Sequence, residues 1–130
     1  MPSLDTNVLV RLLVADDAAQ GEAARALVRR QSPLFVPLTV VLELEWVLRS
    51  RYRYPKTQVL GALSALLEAR ELLFQAEEAL EHALHFYRRG KADFAECMHL
   101  GCAAAEGHLP MMTFDRRAAR LAGARRLGAG

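Results

Sequence analysis

Five acidic side chains stand at the start of a helix or inside an otherwise apolar one: Asp5, Glu43, Asp93, Glu96 and Asp115. Carboxylates gathered in one crevice repel each other and call for a cation, and hard oxygen donors select Mg²⁺ or Mn²⁺. One such ion, or two about 3.5 to 4 Å apart, makes water a usable nucleophile and steadies the leaving oxygen of a phosphodiester. The pattern therefore points to nuclease chemistry, provided the chain brings the acids together.

Each acid also has a plainer reading. Asp5 closes a short apolar N-terminal strand and precedes a helix over residues 8–14, so it faces the usual ligand side of an α/β sheet. Asp5, Thr6 and Asn7 can equally serve as helix N-caps. Glu43 sits in a helix over residues 39–50 whose apolar groups surround nearly the whole circumference. At about 100° per residue it lies between Val40 and Val47 and close to Trp46, whereas Glu45 is about 160° away. Glu43 is thus expected to be embedded in an apolar surface, pointing into the crevice and needing a partner or a metal. Glu45 is expected to pair with an arginine or face a subunit contact. Asp93 and Glu96, three apart, share one face of a helix's first turn, where acids also complement the helix dipole. Asp115 follows a strand directly, repeating the pattern at Asp5.

The elements that must position these acids alternate. Helices are predicted over residues 18–30, 55–69, 75–89 and 93–106 from apolar spacing and end signals, with a short helix after Asp115. Strands are predicted over 33–37, 72–74, 109–113 and 124–127, with residues 128–130 frayed. The Gly101-Cys102-Ala103-Ala104-Ala105 run is expected to press closely against a sheet. Alternation of this kind implies an α/β fold with a parallel sheet and helices on both faces. Adjacent first and fourth strands would bring Asp5 and Asp115 to one crevice, with Glu43 and the Asp93/Glu96 pair reaching it from flanking helices.

Composition bounds the rest. At 130 residues the chain is sized for one domain, residues 1–130. No uncharged run approaches a membrane span and the N-terminus lacks a basic, apolar leader, so a soluble cytoplasmic protein is expected. Cys97 and Cys102, about 7.5 Å apart along one helix, read as small core residues rather than a disulfide. The 17 basic residues are 15 Arg and 2 Lys, and Arg is the better fork for phosphate; a GC-rich genome would give the same excess. Arg49, Arg51 and Arg53 alternate with Tyr52 and Tyr54 in a link that reads either as an RNA contact or as a solvated connector. His82 and His85 have no metal-binding companions. The Leu42/Trp46 side of the 39–50 helix exceeds what one sheet face covers and is expected to meet a second copy.

Leu4-Asp5-Thr6-Asn7, Leu42-Glu43-Leu44-Glu45-Trp46-Val47-Leu48, Asp93-Phe94-Ala95-Glu96 and Thr113-Phe114-Asp115 resemble, in order and spacing, the motifs of PIN-domain ribonucleases, especially the VapC-type toxins of bacterial type II toxin–antitoxin pairs. The resemblance covers nearly the whole chain. It implies a three-layer α/β/α sandwich with a central parallel sheet and a Mg²⁺- or Mn²⁺-dependent endonuclease acting on single-stranded RNA. It also implies a homodimer and a small antitoxin that blocks the site. Asp5, Glu43 and Asp115 inherit metal-site roles, with Thr6, Asn7, Thr113 and Arg116 as supporting residues. Many relatives read Asp-Phe-Ala-Asp at the third motif, so Glu96 leaves open whether Asp93, Glu96 or both bind metal.

Three other readings stand beside this one. A haloacid-dehalogenase-like phosphatase also starts from an Asp after its first strand but needs a second Asp where this chain has Asn7. A receiver-like module would want a mid-chain Asp and a late Lys, and neither is present. A catalytically degenerate PIN scaffold that only binds RNA or protein would keep the same sequence pattern.

Overall fold

Asp5 caps the helix it precedes. In the computed structural model, which describes residues 1–128, its Oδ1 accepts from the Val8 N–H at 3.2 Å at the start of α1, Thr6–Leu13. The expected frayed residues 129 and 130 lie outside the described part. The chain divides into two compact units, Met1–Gln75 and Ala76–Gly130.

In the first unit the expected N-terminal strand is reduced to one parallel bridge. Ser3 pairs with Phe35, and the Leu4 N–H donates to the Phe35 carbonyl at 2.9 Å. Helix α2, Ala18–Gln31, starts at Asp17, whose side chain accepts from the Gln20 N–H at 2.9 Å; it buries only Gly21 and Ala24. Strand β1, Leu34–Val36, is followed by α3, Leu38–Ser50, α4, Lys56–Glu68, and β2, Leu72–Phe74. β1 and β2 pair in parallel with Leu34 opposite Leu72. A parallel pair needs a long crossover, which α3 and α4 supply. Leu9, Leu34, Val36, Leu44, Leu48 and Val59 are fully buried and form the heart of this unit's core, each contributing about 1.5 to 3 kcal/mol by leaving water.

The two tyrosines of the Arg/Tyr link after α3 are engaged within the protein, while Arg51 and Arg53 are exposed. The Tyr52 hydroxyl donates to Asp16 at 2.7 Å, and Arg11 meets the same carboxylate at 2.5 Å. Tyr54 packs edge-on against Tyr52, their ring centres 6.5 Å apart. Of the two readings of the link, these contacts favour the connector for Tyr52.

The second unit opens on α5, Glu77–Arg89, and α6, Phe94–Ala105. α5 begins two residues later than the sequence predicts, because Ala76 adopts a left-handed conformation with φ 53° and cannot be helical. The two helices press together at Gly101, where a Cβ would stand 2.4 Å from the Ala79 carbonyl oxygen. The small-residue run was expected to lie against a sheet; at Gly101 it lies against α5. Tyr87 and Phe94 seal the contact edge-to-face at 5.2 Å. Cys97 is buried, Cys102 half-buried, and both are free thiols. Strand β3, Met111–Thr113, pairs in parallel with β4, Ala124–Arg126, across a single 3₁₀ turn at Ala118–Arg120. Among the described residues no helix is long and apolar enough to cross a membrane.

Candidate active site

Thr6 is the first residue of α1 and is buried at 5% exposure. Helix α1 packs on α3, and the Thr6 Oγ1 donates to the Glu43 Oε1 across that contact. Asp5, one residue earlier, faces the same space. A cavity of about 200 Å³ is lined by Asp5, Thr6, Asn7, Glu43, Trp46, Val47 and Arg51. A second hollow of about 340 Å³ opens between α1 and α2, and Asp5 and Asn7 also line it.

The expected burial of Glu43 is not observed. Glu43 is exposed, whereas Glu45 is the buried acid, at 3%. The apolar circumference of α3 is less covered than its composition suggests: Leu42 is half-buried and Trp46 is 50% exposed. The Glu43 side of the helix therefore opens on the cavity. Glu45, on the other side, accepts from the Arg49 Nε at 2.8 Å one turn on.

The remaining acids belong to the second unit, and each is placed by local backbone. The Asp93 Oδ1 accepts from the Glu96 N–H at 2.8 Å as the N-cap of α6. The Asp115 Oδ1 accepts from the Ala118 N–H at 2.8 Å, and its own N–H donates to the Thr113 Oγ1 at 3.0 Å. Arg116, next to it, is exposed. Capping commits one oxygen of Asp93 and one of Asp115.

The chemistry of the first unit's donors suits a hard divalent ion. Asp5 and Glu43 offer carboxylate oxygens to one cavity, and Thr6 and Asn7 add a hydroxyl and an amide. Mg²⁺ is commonly held by one or two carboxylates together with water and substrate phosphates; among the described residues no three His, Cys, Asp or Glu side chains stand grouped.

Residues 3–124 match the family model of the PIN domain. The chain belongs to the PIN-domain family. Its alternating helices and parallel strands are the α/β arrangement of the PIN fold, and the match runs through both compact units. PIN membership sets aside the phosphatase and receiver readings. Among solved structures, the PIN-domain chain is similar to VapC20 of Mycobacterium tuberculosis, a Sarcin-Ricin loop cleaving toxin. The identity is 18%, with 92% of this chain and 93% of that one covered and a TM-score of 0.46. No curated protein matches it.

Trp46 and Arg51 are cavity residues that the acid pattern does not single out. A helical wheel centred on Glu43 holds the signal for the first, since Trp46 and Val47 lie three and four positions on and share its face. For Arg51, the cap just beyond the end of α3, the signal lies in the Arg/Tyr link, one of whose two readings is an RNA contact.

Proposed function

We propose that this PIN-domain protein is a metal-dependent endoribonuclease that hydrolyses phosphodiester bonds in single-stranded RNA, acting in the cytoplasm as the toxin of a bacterial type II toxin–antitoxin pair. The observation that carries the reading is the meeting of Asp5 and Glu43 at one cavity, with Thr6 bonded to Glu43 from beneath. Asp5 and Glu43 would hold Mg²⁺ or Mn²⁺ there. When bound, such an ion supplies positive charge at the phosphoryl oxygens and makes water a usable nucleophile near neutral pH.

The protein's own contribution is positioning. Thr6 fixes which oxygen of Glu43 faces the cavity, and the α1 cap holds Asp5 at its mouth. In this reading Asp93, Glu96 and Asp115 complete the acid set, with Asn7, Thr113 and Arg116 in support; the family's motif order is what supports their assignment. A homodimer and a small antitoxin that blocks the site belong to the same reading.

One observation favours a second reading, a degenerate PIN scaffold that binds RNA or protein without cutting. It is the lack, among the described residues, of three grouped ligands. Incubating the pure protein with a panel of single-stranded RNAs in Mg²⁺, Mn²⁺ or EDTA separates the two. Cleavage with either metal and none with chelator supports the nuclease, and equal cleavage with and without chelator ends the proposal. Binding without cleavage selects the scaffold. A short adjacent reading frame encoding a DNA-binding protein would support the toxin assignment.

A further inference from the structure

Two side chains at the acid-lined cavity, Trp46 and Arg51, have no ring or carboxylate partner among the described residues. Among the described residues Arg51 lines it without an ion pair, whereas nearby cations are engaged, Arg49 by Glu45 and Arg11 by Asp16. Trp46 is 50% exposed and, unlike Tyr52 and Tyr54, stacks on no other ring among the described residues. An indole left half in water at the rim of a polar cavity is an unsatisfied apolar surface. A guanidinium without a carboxylate is an unfilled fork for a phosphate.

From this placement we infer that Trp46 and Arg51 form the RNA-holding wall of the site: a base stacks on the Trp46 indole while Arg51 grips a backbone phosphate. The inference rests on the nuclease reading and deepens it. A phosphodiester approaching Asp5 and Glu43 meets two negative charges, and Arg51 supplies the chain's own positive charge at the same cavity. The i, i+3 relation of Glu43 and Trp46 puts carboxylate and indole side by side on α3. A base held on the indole therefore brings its sugar and phosphate to the acids. Val47, 7% exposed, backs the wall from within. Stacking is tolerant of base identity because every base has a π-face, so this wall recognises single-stranded RNA as a class rather than a sequence. The Arg51 backbone N–H is bonded to the Val47 carbonyl at 2.9 Å, which anchors the base of the arginine at the end of α3.

The chain has one tryptophan, so its fluorescence reports Trp46 alone. The test titrates the protein in EDTA with a short single-stranded oligoribonucleotide and with an abasic strand of equal length. The oligoribonucleotide should quench the emission and the abasic strand should not. Trp46→Leu should weaken oligoribonucleotide binding by about 5- to 150-fold, with partial rescue by Trp46→Phe. Arg51→Gln should weaken both strands and reduce the slope of log affinity against log salt by about 0.7. Equal quenching by both strands, or none by either, overturns the inference. So does a Trp46→Leu variant that binds RNA as the wild type does but changes from dimer to monomer in light scattering, because the indole then belongs to a second copy. If the wild type cleaves RNA while its indole stays silent, this inference fails and the nuclease reading survives. If it binds and quenches but cleaves with neither metal, the nuclease reading fails and this inference survives.

Discussion

The Thr6 hydroxyl donates to the Glu43 carboxylate, joining the first turn of α1 to the middle of α3 across 37 positions of sequence. Thr6 is buried and Glu43 exposed, so the bond acts as a strut from the core to a side chain that faces solvent. Thr6→Val keeps the shape and removes the donor. Because water can reach Glu43, stability should fall by only about 1 kcal/mol. Loss of an orienting partner typically lowers metal affinity or activity by about 10- to 100-fold. Thermal unfolding beside Mn²⁺ titration checks both halves; a large loss of stability with unchanged metal affinity would make the strut purely structural.

Gly101 sets how closely α5 and α6 approach. A methyl group there meets the Ala79 carbonyl oxygen at 2.4 Å, and backbone cannot swing aside as a side chain can. Gly101→Ala should destabilise the protein by about 1 to 3 kcal/mol, the usual range for overpacking. Denaturant unfolding measures it, and a variant as stable as the wild type would mean that the two helices separate freely.

Much of this architecture is legible from pattern. The apolar spacing of residues 79, 80, 83, 84 and 87 marks the buried face of α5, and the acids at 5, 17 and 93 cap the helices they precede. What periodicity cannot say is which partner covers a face. The small residues of α6 mark a close approach at Gly101 but not whether sheet or helix makes it. The apolar girth of α3 suggests an embedded Glu43, yet Trp46 is left half exposed, and the carboxylate beside it stays in water. Ala76 looks helical by its spacing from Ala79 and Leu80 and is instead the left-handed residue that turns the chain into α5.

Asp16 gives a pH signature unrelated to the site. The Tyr52 hydroxyl, and after it Arg11, hold the Asp16 carboxyl below its ordinary value of 3.8. A depressed folded-state value contributes stability that is fully present above the unfolded value and lost as pH falls through the folded one. Tyr52→Phe should therefore lower the melting temperature at neutral pH, and the gap to wild type should close as pH drops below 3.8. Melting curves across that range test it; a gap that widens in acid would show that the hydroxyl acts elsewhere.

The most direct test compares two glutamates two positions apart on α3. Glu43 faces the cavity with Asp5, while Glu45 is buried on its Arg49 partner. Glu43→Gln removes a charge from the exposed site, so it should abolish most Mn²⁺-dependent RNA cleavage while leaving stability unchanged or raised. Glu45→Gln weakens a buried charged hydrogen bond, so it should lose about 1 to 3 kcal/mol of stability and still cleave. The measurement is cleavage of one single-stranded RNA by wild type and both variants in Mn²⁺, each below its own melting temperature. An active Glu43→Gln beside an inactive, folded Glu45→Gln would contradict the placement of the site on this face of α3.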